Sequence, residues 1–160
     1  MIAFTLSHFR SLHLEYIEIG GEGAKAIGKA LEVNATLINL NLGGHNRIGD
    51  EGAKAIGKAL EVNSNLRLLN LLGDNEIGAE GAQAIGKALE VNTSLTHLNL
   101  TENRIGYKGA KAISKAFEMN NVLTYLNLYC NEFGAQGAYA VGRALELNSE
   151  FHIVKEMNRH

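Results

Sequence analysis

The feature that most constrains this chain is that it keeps repeating itself, and internal repetition of this length points to a stack of like units. Aligned on Phe9, Leu37, Leu66, Leu95, Leu123 and Phe151, the sequence divides into registers 28, 29, 29, 28 and 28 residues apart. The fourth register opens Leu95-Thr96-His97-Leu98-Asn99-Leu100-Thr101-Glu102-Asn103, and the fifth opens Leu123-Thr124-Tyr125-Leu126-Asn127-Leu128-Tyr129-Cys130-Asn131. The same L-x-x-L-x-L pattern opens at Leu37 and Leu66, each time with one extra residue, His45 or Asp74, before the asparagine. The second half of the unit is more faithful still: Glu51 to Asn63 returns almost unchanged in the third register. One such unit cannot cover its own apolar face, whereas stacked copies cover one another.

Each unit carries two periodicities. Leu40 and Leu42 alternate with Asn39 and Asn41, the period of a strand with one buried face. Further on, Ala53, Ile56, Ala59 and Leu60 fall on one side of a helix, with Lys54, Lys58 and Glu61 outside it. Stacking turns these positions into columns: Leu12, Leu40, Leu69, Leu98 and Leu126; then Leu14, Leu42, Leu71, Leu100 and Leu128; and, from the helices, Ile27, Ile56, Ile85, Ile113 and Val141. Each buried leucine or isoleucine contributes roughly 1.5–3 kcal/mol, so the core is sufficient. Strands sit about 4.8 Å apart and helix axes roughly 8–10 Å apart, so joining one strand to one helix bends the stack, strands inside. Gly28, Gly57, Gly86 and Gly142 interrupt the helices, at a cost of about 0.5–1 kcal/mol each relative to alanine, which implies a packing reason for them.

The quoted strings resemble the leucine-rich repeat, in the longer class found in ribonuclease inhibitor and in the sensor ends of NOD-like receptors. That resemblance covers residues 9 to about 150 and implies a strand, a turn and a helix in every repeat. The expected architecture is an α/β leucine-rich-repeat solenoid, a curved horseshoe with parallel strands on its concave side and helices on its convex side. Residues 1–160 are read as one domain: five repeats from 9, 37, 66, 95 and 123, a partial sixth from 151, and residues 1–8 as an N-terminal cap. Two positions depart from the family pattern. Ile17 stands where the first repeat should carry asparagine, and the sixth register stops after ten residues.

Two asparagine columns invite opposite readings. Asn46, Asn75, Asn103 and Asn131 follow the strands, where a side-chain amide satisfies turn and neighbouring backbone groups, so their expected role is structural. Asn41, Asn70, Asn99 and Asn127 lie between inward leucines and point to the concave face. On that face Leu68, Leu72, His97, Tyr125 and Tyr129 gather in the third to fifth registers, where Ser11, Asn39 and Gly43 hold matching places earlier. Tyrosine is enriched at interfaces, and apolar groups placed outward call for an explanation. Cross-strand packing is the competing one. The candidate partner-binding residues are therefore Leu68, Leu72, His97, Tyr125 and Tyr129, with Asn70, Asn99 and Asn127 between them.

The remaining signals narrow the function by exclusion. Fifteen basic and seventeen acidic residues leave a net charge of −2, which offers no general attraction to nucleic acid or to an anionic membrane. The helix lysines Lys29, Lys58, Lys87 and Lys115 stand three residues before glutamates, a spacing read as i,i+3 pairs on a solvated face. No metalloprotease, phosphate-loop, nucleophile-elbow or paired-cysteine motif is present, so neither an enzyme, a metal nor a cofactor is expected. Cys130 and His97 occupy different places in adjacent repeats, with no third orienting group for a thiol–imidazole pair. A lone cysteine forms no internal disulfide and fits a reducing, cytoplasmic setting. Three sequons, at Asn34, Asn92 and Asn99, carry no meaning in that setting. The expected function is a protein–protein interaction module that binds its partner on the concave strand face. Two alternatives stand beside it: a regulator of a small GTPase, since Ran GTPase-activating proteins carry this repeat type, and a fragmentary array with no partner. Exposed terminal repeats also suggest self-association through an end.

Overall fold

A computed structural model describes residues 9–147 and the strand at 152–153. Strands β1 (Ser11–His13), β2 (Asn39–Asn41), β3 (Leu68–Asn70), β4 (His97–Asn99), β5 (Tyr125–Asn127) and β6 (His152–Ile153) alternate with helices α1 (Gly20–Val33), α2 (Gly49–Val62), α3 (Ala79–Val91), α4 (Gly106–Phe117) and α5 (Gly134–Leu147). All strands are parallel and lie in sequence order, and each helix packs on the next one. This is the α/β solenoid expected. The sixth register supplies a strand paired to β5 through Tyr125–His152 and Leu126–Ile153. Phe151, Val154 and the proposed cap at residues 1–8 lie outside the described residues.

The leucine columns form the core. Leu40, Leu69, Leu98 and Leu126 stack in register, and with Leu42, Leu71 and Leu100 they are fully buried. Ile56, Ile85 and Ile113 close the column from the helix side. Gly28, Gly57 and Gly86 have the packing reason their recurrence implied, whereas Gly142 meets nothing within 4 Å. A Cβ on Gly28 would stand 2.8 Å from the Ala55 carbonyl oxygen, and one on Gly57 3.0 Å from that of Ala84. Helix axes come this close only because no side chain separates them.

Two asparagine ladders tie the repeats together. In the first, Asn46 Nδ2 donates to the carbonyl oxygens of Leu14, Leu42 and Gly43 at 2.8–3.0 Å, while its Oδ1 accepts from the amides of Ile17 and Ile19. Asn75, Asn103 and Asn131 repeat the pattern, and all four are buried. Their structural role is as expected. Ile17 takes no such part, and its side chain is exposed.

The second ladder runs along the other edge, where the helices end. Asn34, Asn63 and Asn92 leave the helical conformation, with ψ near 121–128°, and so stop α1, α2 and α3. Asn63 Oδ1 then accepts from the amides of Asn65 and Leu66, and its Nδ2 donates to the carbonyl oxygens of Leu31 and Asn34 in the preceding repeat. Asn92 and Asn120 do the same, one repeat further on each time. Asn92, one of the three sequon asparagines, is thus buried with both ends of its amide engaged.

Candidate functional site

The strand face is built by the register. Asn39, Leu68, His97, Tyr125 and His152 are successive partners across β2 to β6, so Leu68, His97 and Tyr125 do form one row. Asn41, Asn70, Asn99 and Asn127 form the next. Leu72, Thr101 and Tyr129 stand two residues further along, where alternation brings them to the same face. The candidate residues therefore share one surface, with Leu68, Leu72 and Tyr125 half-buried and His97 and Tyr129 exposed. The His97 and Tyr125 rings stack with centroids 5.5 Å apart and planes 21° apart. His97 Nδ1 lies 2.9 Å from Thr96 Oγ1. The apolar group is also a cross-strand pair, so packing on the sheet and availability to a partner coexist here.

The asparagine row does local work as well. Asn41, Asn70, Asn99 and Asn127 each accept, at Oδ1, the amide proton two residues on, from Gly43, Leu72, Thr101 and Tyr129, at 3.0–3.2 Å. These turns end the strands after three residues and leave the amide nitrogens pointing outward. Asn41 Nδ2 donates to Glu15, which occupies that row's first-repeat end. Thr101 Oγ1, between Leu72 and Tyr129, is buried without a hydrogen-bond partner among the described residues.

A second feature lies where the strands run into the turns, and sequence reasoning missed it. Tyr16, Glu18, His45, Arg47, Asp74 and Glu76 line a groove of about 350 Å³, and all six have positive φ, between 46° and 59°. Left-handed backbone at side-chain-bearing residues costs roughly 1–2 kcal/mol each, so the ladder asparagines beside them must hold the turns in shape. Within the groove Arg47 meets Glu18 at 3.8 Å, His45 meets Asp74 at 3.9 Å, and Arg104 meets Asp74 at 3.3 Å. Glu18, Asp74 and Glu76 outnumber Arg47 in the lining, so the groove is mainly acidic, answered in part by Arg104 from the next repeat. The only sequence hint was the extra residue, His45 or Asp74, in the second and third repeats.

The helix face differs from expectation in its ion pairs. Glu22–Lys25 and Glu51–Lys54 are i,i+3 pairs at 2.8 and 2.9 Å, but Lys58 reaches back to Glu32 and Lys115 to Glu90, both at 3.7 Å across adjacent helices. The neighbouring helix is close enough to compete with the same helix's next turn. Lys54 also meets Glu80 of the next repeat at 2.6 Å; that contact first, then Glu51, holds its ammonium well above the ordinary lysine range. Cys130 is exposed and free, and no contact links it to His97. No group of His, Cys, Asp and Glu that could hold a metal occurs among the described residues.

This geometry is that of a leucine-rich-repeat protein. The family described as Leucine Rich repeat matches residues 5–28, 33–57, 62–86, 91–114 and 120–142, and the chain belongs to it. Among solved structures it is similar to leiomodin-1 actin-binding site 2, with a TM-score of 0.75 at 28% identity over 90% of this chain and 83% of that one. It is also similar in fold to the tropomodulin C-terminal domain of Caenorhabditis elegans, with a TM-score of 0.72 at 19% identity over 90% of this chain and 86% of that one. A search of curated proteins finds no match to this sequence. The leucine-rich-repeat family and the likeness to leiomodin-1 support an interaction scaffold.

Proposed function

We propose that this chain holds a protein partner against its concave strand face, through Leu68, His97 and Tyr125 in one row and Leu72 and Tyr129 in another, with Asn70, Asn99 and Asn127 between them. The stacked His97 and Tyr125 rings carry this reading: a rigid aromatic pair on the open face of a sheet, flanked by leucines, is the mixture found at the centre of interfaces. Outward amides between the two rows supply hydrogen bonds that fix a partner's orientation. The repeat length favours the longer, ribonuclease-inhibitor-like class, and the single exposed thiol of Cys130 suits a reducing cytoplasm. The balanced charge favours a protein over nucleic acid or a membrane surface, and no helix among the described residues is long and apolar enough to cross one.

Actin is the first partner to test, because the structural neighbour from leiomodin-1 is titled as an actin-binding site. The experiment is cosedimentation with filaments and calorimetry with monomeric actin, followed by capture from native lysate if both are negative. With whichever partner binds, Tyr125→Ala and Tyr129→Ala should each weaken the complex by about 1 kcal/mol or more. The fold should persist, since both side chains stand outside the leucine core. If both variants bind like the parent while substitutions on the helical face abolish binding, the concave site is wrong.

A further inference from the structure

We propose that this chain stacks head to tail with a second copy of itself, the outer face of α1 in one copy packing on the outer face of α5 in the next. What covers such a face is shown within the molecule. At the first three of the four helix junctions an alanine of one helix lies over a glycine of the next: a Cβ on Gly52 would stand 2.6 Å from Ala24 Cβ, on Gly81 2.7 Å from Ala53 Cβ, and on Gly109 2.8 Å from Ala82 Cβ. Returning the contact, Gly28, Gly57 and Gly86 sit against the backbone of Ala55, Ala84 and Ala112.

Both halves of this lock recur, unfilled, at the two ends. On α5, Ala138 holds the place of Ala24, Ala53, Ala82 and Ala110, yet it is exposed where those four are fully buried. Gly142 holds the place of Gly28, Gly57 and Gly86, and a Cβ there would meet nothing within 4 Å. On α1, Gly23 holds the place of Gly52 and would meet only its own helix's Ile19, while Ala26, the counterpart of Ala55, is exposed. One copy's Ala138 therefore fits over the other's Gly23, and its Gly142 receives the other's Ala26.

The charges agree. Glu32 pairs with Lys58 and Glu90 with Lys115, each glutamate answering a lysine on the following helix. By the same rule the exposed Glu146 of α5 meets the exposed Lys29 of an incoming α1. The strand place that goes with that helix position is held by β6, which pairs with β5. The incoming β1 takes this place, so β6 and a second copy compete for the edge of β5. A junction between unlike faces leaves each added copy with a free end, so assembly grows with concentration.

The test uses sedimentation velocity from micromolar to millimolar protein, with circular dichroism as the check on folding. The parent should form concentration-dependent oligomers. Gly142→Leu blocks one end and Ala26→Arg the other; both sites are open in the single molecule, so both variants should remain folded and monomeric. An equal mixture of the two should form a dimer and nothing larger, because each retains one working end. Deleting residues 148–160 from the parent should lower the concentration for half-association several-fold; if that chain unfolds, the mixture decides alone. A parent that stays monomeric throughout, single variants that associate as the parent does, or a mixture that yields no dimer would each overturn the proposal. None of these variants touches the concave tyrosines, so the outcome is independent of the partner-binding reading.

Discussion

The first repeat and the interior repeats carry the same letters and reach different ends. Leu40, Leu42 and Ile56 are fully buried, whereas Leu12, Leu14 and Ile27, at the same places one repeat earlier, are half-buried. Ala59 of α2 is buried and Ala30 of α1 is exposed. The ladder asparagine Asn46 accepts amides from its neighbour on one side, but the neighbour, with Ile17 at that place, has no side-chain amide to offer in return. In a solenoid, then, burial belongs to the pair of adjacent repeats and not to the residue. A residue's letter says which face it prefers; only the next repeat decides whether that face is covered.

The largest break in this comparison comes from paired leucine truncations. Leu69→Ala should cost about 2–5 kcal/mol, because both neighbours are already in place and cannot collapse into the cavity. Leu12→Ala should cost clearly less, since water already reaches that side chain. Chemical denaturation of the two variants measures the difference, and with the whole stack acting as one domain both should unfold in a single transition. Equal losses, or a loss under about 1 kcal/mol at Leu69, would remove the idea that neighbours supply the burial.

The ladders offer the next test. Asn75 donates to three carbonyl oxygens and accepts the amide of Asn46, and all of these bonds but the one to Leu72 are buried. Asn75→Ala strands those groups and should cost about 1–3 kcal/mol or more. The reverse substitution, Ile17→Asn, should gain under about 1 kcal/mol, because water already serves the exposed first turn. Matching denaturation midpoints for Asn75→Ala and the parent would show that the amide is replaceable.

Much of this was legible because repetition averages out local ambiguity. The period-2 alternation around Leu40 and Leu42 placed the strands and the concave rows, and the recurrence of Asn46, Asn75, Asn103 and Asn131 after each strand marked the first ladder. The second ladder went unread although Asn34, Asn63, Asn92 and Asn120 recur as regularly, since asparagine at a helix end already has a local explanation as a terminator. Its cross-repeat bonds depend on how far one helix end lies from the next. The same holds for the groove beside His45 and Arg47, whose turns adopt positive φ only because the stack fixes them. Ion pairs such as Lys58–Glu32 were misplaced for that reason too: sequence spacing shows the same helix's next turn, not the neighbouring helix.

Glycine substitutions turn the comparison into a change of sign. A Cβ on Gly57 meets backbone of the next helix at 3.0 Å, and backbone yields only by moving the helix. Gly57→Ala should therefore destabilise the fold, as overpacking of roughly 1–3 kcal/mol outweighs the better helix propensity of alanine. At Gly142 nothing is in the way, and Gly142→Ala should stabilise by about 0.5–1 kcal/mol. Thermal or denaturant unfolding reads both. The same sign at the two positions would mean that close helix approach is not what the interior glycines provide.

The smallest effect is expected from the surface contacts of an interior junction. Lys54 bridges Glu51 of its own helix and Glu80 of the next, and all three side chains face solvent. Exposed pairs of this kind contribute little because water screens them and ordering the long side chains costs entropy. Lys54→Met should accordingly shift the unfolding midpoint less than any substitution above, and the shift should shrink further as salt is raised. Its pH dependence has a definite sign. The Lys54 hydrogen bond and charge hold the Glu51 carboxyl below its ordinary value of 4.5, so that contribution is present above 4.5 and fades as pH falls through the lowered value. Lys54 itself is raised above its ordinary 10.5, chiefly by Glu80, so its contribution is whole below 10.5 and is lost only as pH climbs through the raised value. Between those limits the difference between parent and Lys54→Met should be flat. A difference that peaks near neutral pH, or rivals that of Leu69→Ala, would mean that charge and not apolar stacking joins the second and third repeats.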